Sequence, residues 1–312
     1  MKVIIVGPGA LGTLIAAFLS RARAEVWLLD KNKERSRLLA EKGISVEGVS
    51  GSWQARVRAS TSAEEIGPAD LVIVCVKSYD TKEAVMRVKP AVAAHTMVLS
   101  LQNGIGNIEI IGEIVGSDKV LGGSTNMGAT LESYGCVRHA GKGETVIGRM
   151  DGRIPVEIRS VREIFQKAGL EIRISRDIKG VLWSKLIINV GINAISALVR
   201  LANGRLTEFE GTRRVLREAV SEATRVAKRK KIKLMYDDPL AKVEAVCEAT
   251  SQNISSMLQD VLNKKRTEID FINGVVVRQG QELNIPTPVN SLLVDLVKTL
   301  ESSYRVTEEK NG

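Results

Sequence analysis

The chain has 312 residues, 44% of them hydrophobic and 26% charged, which places it among soluble globular proteins and excludes a fibrous or disordered chain. Domains commonly run to roughly 100–200 residues, so two domains are expected. The net charge is +9, but the basic residues are interleaved with 36 acids, and aromatic residues make up only 4% of the chain. No nucleic-acid partner is therefore expected.

The N-terminal residues predict a strand, a tight turn and a helix. Residues 2–6, KVIIV, are a continuous apolar run typical of a parallel strand covered on both faces, and GPGALG at 7–12 follows as a G-x-G-x-x-G motif before an apolar helix. Such glycines let the backbone turn tightly and approach a pyrophosphate, and the helix N-terminus supplies N–H groups; the alternative is a purely structural turn. The predicted cofactor contacts are Gly7, Pro8, Gly9, Ala10, Leu11 and Gly12.

The second predicted strand, residues 25–30, ends in Asp30. An acid at this place accepts hydrogen bonds from the adenosine ribose and repels a 2′-phosphate, so it favours NADH over NADPH. Lys31, which we also count among the cofactor contacts, Lys33 and Arg35 follow at once and oppose that repulsion. The alternative role for Asp30 is to cap the next helix.

Two further buried strands lead to polar residues. DLVIVCVKSYDT at 70–81 contains a strand that ends in Lys77, and TMVLSLQNGIGN at 96–107 contains one that ends in Gln102, Asn103 and Gly104. Ligands of open parallel sheets bind beyond the carboxyl ends of strands, so Lys77 and Asn103 are candidate contacts of cofactor and substrate. The alternatives are a solvated strand end and a turn.

The rest of the chain predicts the fold class: an α/β N-terminal Rossmann-type doubly wound sheet over 1–176, followed by an all-α domain over 177–312. Strands are expected at 119–126, 134–148 and 171–174, partly antiparallel, with a helix near 157–168, and Gly128, Gly135, Gly141 and Gly143 are taken as loop positions. Helices are expected at 178–198, 205–231, 237–262, 267–283 and about 288–308.

One of these helices contains a polar stripe that is costly to bury. WSKLIINVGINAIS at 183–196 is apolar on nearly every side, but Lys185, Asn189 and Asn193 recur at intervals of four residues and therefore share one drifting face. A helix that is apolar nearly all round is normally buried, and an unpaired buried ammonium is expensive. We interpret the stripe as a wall of a functional site.

The segment TSQNISSMLQDVLNKKRTEIDFING at 250–274 carries a second polar set. On a helix over 237–262, Asn253 and Ser256 share a face. Thr267 with Asp270 is typical of a capping arrangement, which places Glu268 in the first turn of the next helix. The alternatives are exposed polar residues in mid-helix and a favourable charge at a helix start.

Together these motifs resemble those of the ketopantoate reductase family (2-dehydropantoate 2-reductase). The resemblance spans nearly the whole chain, and its carriers are GPGALG at 7–12, CVKSYDT at 75–81, QNG at 102–104, WSKLIINVGINAISAL at 183–198 and NISSMLQDVLNKKRTEIDFINGVVVRQG at 253–280. The resemblance implies a Rossmann domain, a helical substrate domain and a nicotinamide cofactor. NADPH-using relatives commonly carry an arginine at the end of strand two, where this chain has Asp30 and Lys31.

The resemblance also implies roles for individual residues. Lys185 is the catalytic acid, with Glu268 as its catalytic partner and a further cofactor contact. Asn103 lies between cofactor and substrate, and Lys77 lies near the cofactor. The implied substrate contacts are Asn103, Asn189, Asn193, Asn203, Asn253 and Ser256.

We therefore hypothesise the reduction of 2-dehydropantoate to (R)-pantoate by NADH or NADPH, with NADH favoured by Asp30. The alternatives are a reductase of another branched 2-oxo acid and a catalytically inactive NAD(P)-binding redox sensor. Cys75, Cys136 and Cys247 lack metal or redox spacing, so no metal is expected. Without a signal peptide or an uninterrupted apolar run of about 18 residues, a cytoplasmic protein with no membrane partner is expected, and its apolar helices allow a homodimer.

Overall fold

The computed structural model describes residues 1–309, with side chains described as far as Tyr304. Contacts divide the chain into a first unit, residues 1–102 with 106–178, and a second unit, residues 103–105 with 179 onward. The division falls after Ile178, whereas the sequence placed the junction at 176. The assignment of Asn103–Ile105 to the second unit matters below.

The first unit contains all the strands of the described chain. They are β1 (Lys2–Val6), β2 (Glu25–Leu29), β3 (Ile44–Gly48), β4 (Trp53–Ala55), β5 (Arg58–Ser60), β6 (Ala69–Val74), β7 (Val92–Ser100), β8 (Val120–Thr125), β9 (Gly128–Ser133), β10 (Cys136–Gly141), β11 (Thr145–Gly148) and β12 (Ile172–Ile174). Its helices are α1 (Ala10–Arg21), α2 (Lys33–Lys42), α3 (Ala63–Ile66), α4 (Thr81–Val88), α5 (Asn107–Val115) and α6 (Val156–Lys167).

Eight strands form the main sheet in the order β12-β11-β8-β7-β6-β1-β2-β5, parallel except where β11 meets β8. The inner strands β1 and β6 are almost wholly apolar because helices cover both faces of the sheet, and separate buried clusters lie on its two sides. The predicted α/β class is confirmed for this part of the chain.

A second sheet of four strands, in the order β4-β3-β10-β9, packs on α1 through Phe18 and shares the buried cluster of that helix. The strand-forming region expected over 134–148 contains two strands that belong to different sheets, β10 in the second sheet and β11 in the main one. Gly128 and Gly141 lie at the ends of paired strands rather than in loops.

The second unit is helical. Its helices are α7 (Ile178–Val199), α8 (Glu210–Arg229), α9 (Pro239–Ala249), α10 (Ser256–Leu262), α11 (Asn273–Glu282) and α12 (Pro288–Glu309). The predicted helix over 237–262 is wrong in one respect, since it is broken between α9 and α10. The helices expected at 205–231 and 267–283 each begin with a separate 3-10 turn, at Asn203–Thr207 and Ile269–Phe271.

The core of the second unit is built around α7. Trp183, Leu186 and Val190 are buried among apolar residues of the other helices. Gly191 permits this close packing, since a Cβ there would lie 2.8 Å from side-chain atoms of both Val220 and Val243. Among the described residues, α7 alone is long and apolar enough to cross a bilayer, but 78% of its most apolar window is buried, as in a core helix.

Candidate active site

The glycine turn after β1 has the shape that a dinucleotide phosphate requires. Gly7 has φ +91°, and a Cβ there would lie 2.5 Å from Val76 Cγ1. A Cβ on Gly12 would lie 2.4 Å from the Gly7 carbonyl oxygen, whereas a Cβ on Gly9 would meet nothing within 4 Å. Gly9 precedes α1, and no side chain caps this helix. The turn therefore leaves open space beside uncapped helix N–H groups, which fits a pyrophosphate.

Asp30, at the end of β2, is not the uncompensated acid that the sequence suggests. The carboxylate of Asp30 accepts hydrogen bonds from Nε and Nη2 of Arg35 and from the N–H of Asn32 at 3.1 Å. Its side chain is only 1% exposed. Asp30 is not the cap of α2, because Asn32 accepts the Arg35 N–H at 2.9 Å in that role. The free negative charge on which the NADH preference was argued is therefore offset by Arg35.

The two predicted lysines of the first unit lie near one short turn. Lys31 is exposed, and its Nζ lies 3.5 Å from Asp80 Oδ2. Lys77 is partly buried and lies three residues beyond the end of β6, where its carbonyl accepts the Asp80 N–H at 2.8 Å. The expected strand thus stops before Lys77, and a 3-10 turn at Ser78–Asp80 follows it.

Sequence reasoning missed a buried polar network at the ends of β6 and β7. Gln102 Nε2 donates to the Val76 carbonyl at 2.9 Å and to Thr81 Oγ1 at 2.7 Å. Thr81 Oγ1 lies 2.8 Å from Asn107 Oδ1, and Asn107 Nδ2 donates to Ser78 Oγ at 3.0 Å. These contacts fix the loops that carry Lys77 and Asn103. The QNG pattern contains the signal, although local sequence reasoning assigns a function only to its Asn103.

Asn103 and Glu268 are brought together by a close backbone approach within the second unit. Gly104 has φ +80°, and a Cβ there would lie 2.4 Å from the Phe271 carbonyl oxygen, which accepts the Ile105 N–H at 3.1 Å. Asn103 Nδ2 lies 3.5 Å from Glu268 Oε2. Only glycine suits this position, because it combines a left-handed backbone with no room for a Cβ.

Glu268 is buried, 5% exposed, and held on a short turn by distant residues. The N–H of the preceding residue, Thr267, donates to Glu301 Oε1 on α12 at 2.7 Å, and Asp270 Oδ1 lies 2.7 Å from Lys298 Nζ. The predicted pairing of Thr267 with Asp270 is wrong, since the N–H of Thr267 donates to Glu301, while Thr267 Oγ1 accepts from the N–H of Ile269 at 3.2 Å. Glu268 therefore precedes a 3-10 turn instead of lying inside a helix.

Lys185 lies on α7 in surroundings that destabilise its charge. Burial lowers the pKa of the Lys185 amine to about 8, although the attraction of the Glu268 carboxylate raises it. Lys185 and Glu268 are remote in sequence, but in the structure they lie close enough for the Glu268 charge to raise the pKa of Lys185. Asn189 and Asn193 follow on the same helix, about 6 and 12 Å further along its axis, the first partly buried and the second buried.

The remaining predicted residues lie around the break between α9 and α10. Ser255 caps α10 by accepting the Leu258 N–H at 3.1 Å, and its Oγ lies 2.5 Å from Ser196 Oγ on α7. Ser256 is the first residue of α10, and Asn253 precedes it in the turn. The expectation that Asn253 and Ser256 share a helix face is therefore wrong.

Asn203 is joined to the same break. Its N–H donates to the Asn253 carbonyl at 2.9 Å, and its Nδ2 donates to Thr250 Oγ1 at 2.9 Å. Its buried Oδ1 has no partner among the described residues, so it retains an acceptor. Asn203 and Asn253 are thus neighbours, although 50 residues separate them in the chain.

Comparisons with known proteins agree with this organisation. The family profile described as ketopantoate reductase PanE/ApbA matches residues 3–152, and the corresponding C-terminal profile matches residues 177–301. A 2-dehydropantoate 2-reductase from Halobacterium salinarum is 38% identical over 96% of this chain and 98% of its own length.

Solved structures show the same architecture. A PanE/ApbA family ketopantoate reductase from Ralstonia eutropha JMP134 is 36% identical, covers 98% of this chain and 100% of its own, and superposes with a TM-score of 0.90. A D-mandelate dehydrogenase solved with NADH and anilino(oxo)acetate is 26% identical, covers 97% of this chain and 99% of its own, and also has a TM-score of 0.90.

Proposed function

The chain belongs to the ketopantoate reductase family, and we propose that it reduces 2-dehydropantoate to (R)-pantoate with a reduced nicotinamide dinucleotide. It is an oxidoreductase, and its substrate is a small 2-oxo acid. The reaction serves the biosynthesis of pantothenate and coenzyme A, so we expect the enzyme to act in the cytoplasm.

Lys185 supplies the proton for this chemistry. The dinucleotide, when bound, provides the hydride that converts the keto carbon to an alcohol. The keto oxygen gains negative charge as this happens and needs both a proton and a positive field. With a pKa of about 8, the Lys185 amine is mostly protonated at pH 7 and still gives up its proton readily.

Glu268 makes the partly buried ammonium of Lys185 tolerable and orients it. Its carboxylate raises the pKa of Lys185 against the effect of burial, which keeps the acid charged at neutral pH. The amide of Asn103, 3.5 Å from Glu268 Oε2, holds that carboxylate in place. The carboxylate also offers an acceptor to the distal hydroxyl of the substrate.

Uncharged polar groups complete the proposed substrate site. Asn189 and Asn193 continue the face of α7 that Lys185 begins and can hydrogen-bond the substrate hydroxyls. Ser256 and Asn253, at the break before α10, suit the substrate carboxylate, and the unpartnered Oδ1 of Asn203 adds an acceptor beside them.

Most of the proposed cofactor residues lie in the first unit, whereas Asn103 and Glu268 lie in the second. The turn from Gly7 to Gly12 has the open backbone that a pyrophosphate needs, and we propose Asp30, Lys31 and Lys77 as further contacts of the dinucleotide. Either NADH or NADPH fits this turn, because both carry the same pyrophosphate. The two dinucleotides differ only in the 2′-phosphate that NADPH carries on its adenosine ribose.

The placement of Lys185 on α7 beside Glu268, whose carboxylate lies 3.5 Å from the Asn103 amide, is the observation that carries the proposal. The test is the oxidation of NADH and NADPH in the presence of 2-dehydropantoate by the wild type and by Lys185→Ala. Loss of one general acid is expected to lower turnover by about 10²–10⁴-fold. Lys179→Ala, an exposed lysine of the same helix, is the matched control and should retain full turnover. Equal turnover by wild type and Lys185→Ala would remove Lys185 from the mechanism.

The likeness to D-mandelate dehydrogenase supports a second candidate, reduction of another 2-oxo acid. A panel that compares 2-dehydropantoate with aliphatic and phenyl-substituted 2-oxo acids separates the two by kcat/KM. Binding of a dinucleotide without turnover of any member of the panel would instead indicate a redox sensor.

A further inference from the structure

A chain of buried polar side chains crosses the core of the second unit, outside the residues assigned to the site. Glu222 on α8 is 2% exposed, and Asn290 on α12 and Asn273 at the start of α11 are 0% exposed. The two oxygens of Glu222 accept the N–H groups of Val289 and Asn290, each at 2.9 Å. Because Pro288, the first residue of α12, has no N–H, these are the first two N–H groups of that helix. The carboxylate therefore caps α12 and fixes its beginning to α8.

The side chain of Asn290 extends this connection to α11 and α7. Its Nδ2 donates to Glu222 Oε2 at 2.7 Å and to the Ala219 carbonyl at 3.1 Å. Its Oδ1 accepts from Asn273 Nδ2 at 3.0 Å, and the same Nδ2 donates to the Val190 carbonyl on α7 at 3.4 Å. Asn273 thus joins the start of α11 to two other helices at one point.

The same side of α12 also holds the turn that carries Glu268. Three residues of α12 contact three residues of the segment 267–273, and the two sets run in opposite directions. The pairs are Asn290 with Asn273, Lys298 with Asp270, and Glu301 with Thr267. Spacings of 8 and 11 residues place the three α12 residues within about 80° of one another around the helix. The position of the Glu268 turn therefore follows that of α12.

Asn273 is costly to bury. Its Oδ1 has no hydrogen-bond partner among the described residues, and a buried polar atom left without a partner is destabilising. An apolar side chain of similar volume would avoid this cost, but it could not donate to α12 and α7 at once. A buried polar group kept at such a cost suits a role in fixing geometry more than a role in adding stability.

We propose that Asn273 is a positioning residue for the reaction, which fixes the Glu268 turn against α7 and so sets the distance between the Glu268 carboxylate and the Lys185 amine. The proposal rests on the proposed function, in which these two groups act together. Lys185 lies five residues before Val190, and Glu268 lies five residues before Asn273. The hydrogen bond at Val190 therefore joins the two segments that carry the pair.

The test is Asn273→Ala in the full-length protein, with two pH-dependent readouts. One is kcat/KM for 2-dehydropantoate between pH 6 and 10. The other is the labelling of Lys185 by acetic anhydride, followed by peptide mass spectrometry, which reports the free amine without any turnover. Glu268 raises the pKa of Lys185, so a loosened turn should lower it and move both midpoints to lower pH. We also expect kcat at pH 7 to fall by about tenfold, because the pair is misplaced.

Val276→Ala is the matched control. Val276 is a fully buried apolar residue of the same helix, so its truncation loses core packing without removing a hydrogen bond. It should lower the melting temperature and leave both midpoints in place. Wild-type midpoints in Asn273→Ala overturn the proposal whatever the loss of stability, and so does a Val276→Ala protein whose midpoints move equally far.

Asn290→Ser decides if Asn273→Ala does not fold, as judged by its melting curve. This variant removes the oxygen that accepts from Asn273 Nδ2 and keeps Asn273 itself. Midpoints that move to lower pH support the proposal, and unchanged midpoints overturn it.

The proposed function fails in a different way. If the wild type leaves 2-dehydropantoate and other 2-oxo acids unreduced, the substrate assignment is wrong, while the labelling midpoint of Lys185 still decides the role of Asn273. If the wild type reduces 2-dehydropantoate and the midpoints of all variants coincide, the proposed function stands and the role of Asn273 is wrong.

Discussion

Two pairs of opposite charge, one in each unit, are built in contrasting ways. In the first unit Arg35 closes on Asp30 with two hydrogen bonds, and the hydrogen bond to Asp30 raises the pKa of the guanidinium further. In the second unit burial lowers the pKa of Lys185 to about 8 in spite of Glu268. The first pair holds a permanent charge, whereas the second holds a proton that can leave.

The choice of cation explains the difference. A guanidinium stays charged in any protein environment and matches a carboxylate in shape, so it suits recognition of a fixed anion. An ammonium is a point charge whose pKa responds strongly to loss of water, so it suits proton transfer. The pair in the first unit therefore suits a fixed charge, and the pair in the second unit suits the proton transfer proposed above.

Removing Glu268 should break the second pair and have the largest effect. In the proposed mechanism Lys185 is the acid, so activity should be present below its pKa and be lost as the pH rises through about 8. Glu268 raises this pKa, so Glu268→Gln lowers it, and the alkaline fall of kcat/KM should begin at a lower pH. We also expect kcat at pH 7 to drop by about 10²-fold, because less of the acid is protonated and its orientation is lost.

The measurement is the pH profile of kcat/KM between pH 6 and 10 on the full-length enzyme. Glu282→Gln, which removes an exposed carboxylate on α11, should leave the profile in place. A Glu268→Gln profile that keeps the wild-type alkaline limb would show that Glu268 does not act on Lys185.

Gly104→Ala tests whether the second pair depends on the backbone approach that brings Asn103 to Glu268. Alanine there combines a positive φ with a clash 2.4 Å from the Phe271 carbonyl oxygen. The unfolding free energy should fall by about 1–3 kcal/mol, the cost of such strain, and KM for the 2-oxo acid should rise. Urea unfolding and steady-state kinetics measure the two effects. Gly211→Ala on α8, where a Cβ meets nothing within 4 Å, should leave KM unchanged and should not lower the unfolding free energy. A stable Gly104→Ala enzyme with unchanged KM would contradict the role.

Features encoded within a few residues could be predicted from the sequence. The strand, turn and helix of 2–21 follow from an apolar run and three glycines, and the stripe from Lys185 to Asn193 follows from helical spacing. The α/β class and the helical second half were recoverable for the same reason, since apolar periodicity reports which face of each element is buried.

Features that depend on partners distant in the chain could not be predicted from the sequence. The break before α10 is stabilised by Ser255 contacting Ser196 and by Asn203 bonding the turn at 253, and neither contact leaves a local signal. The pairing of Arg35 with Asp30 depends on the side-chain conformation of Arg35. The spacing of five residues between them does not reveal it, so the sequence suggests an unpaired acid at Asp30. The partner of the Thr267 N–H lies 34 residues further along the chain.

That partner, Glu301, should give the smallest effect, because it acts on Glu268 only through the neighbouring Thr267. Glu301→Gln keeps an acceptor for the Thr267 N–H but removes its charge, which should cost about 1 kcal/mol of unfolding free energy, the difference between a charged and a neutral hydrogen bond. If Glu301 positions the Glu268 turn, kcat should fall by a few-fold, about what a small misplacement of a catalytic group costs, while KM for the dinucleotide stays constant. Asp295→Asn removes an exposed acid of the same helix and should leave kcat unchanged. An equal loss of stability without any change in kcat would show that the contact only anchors α12.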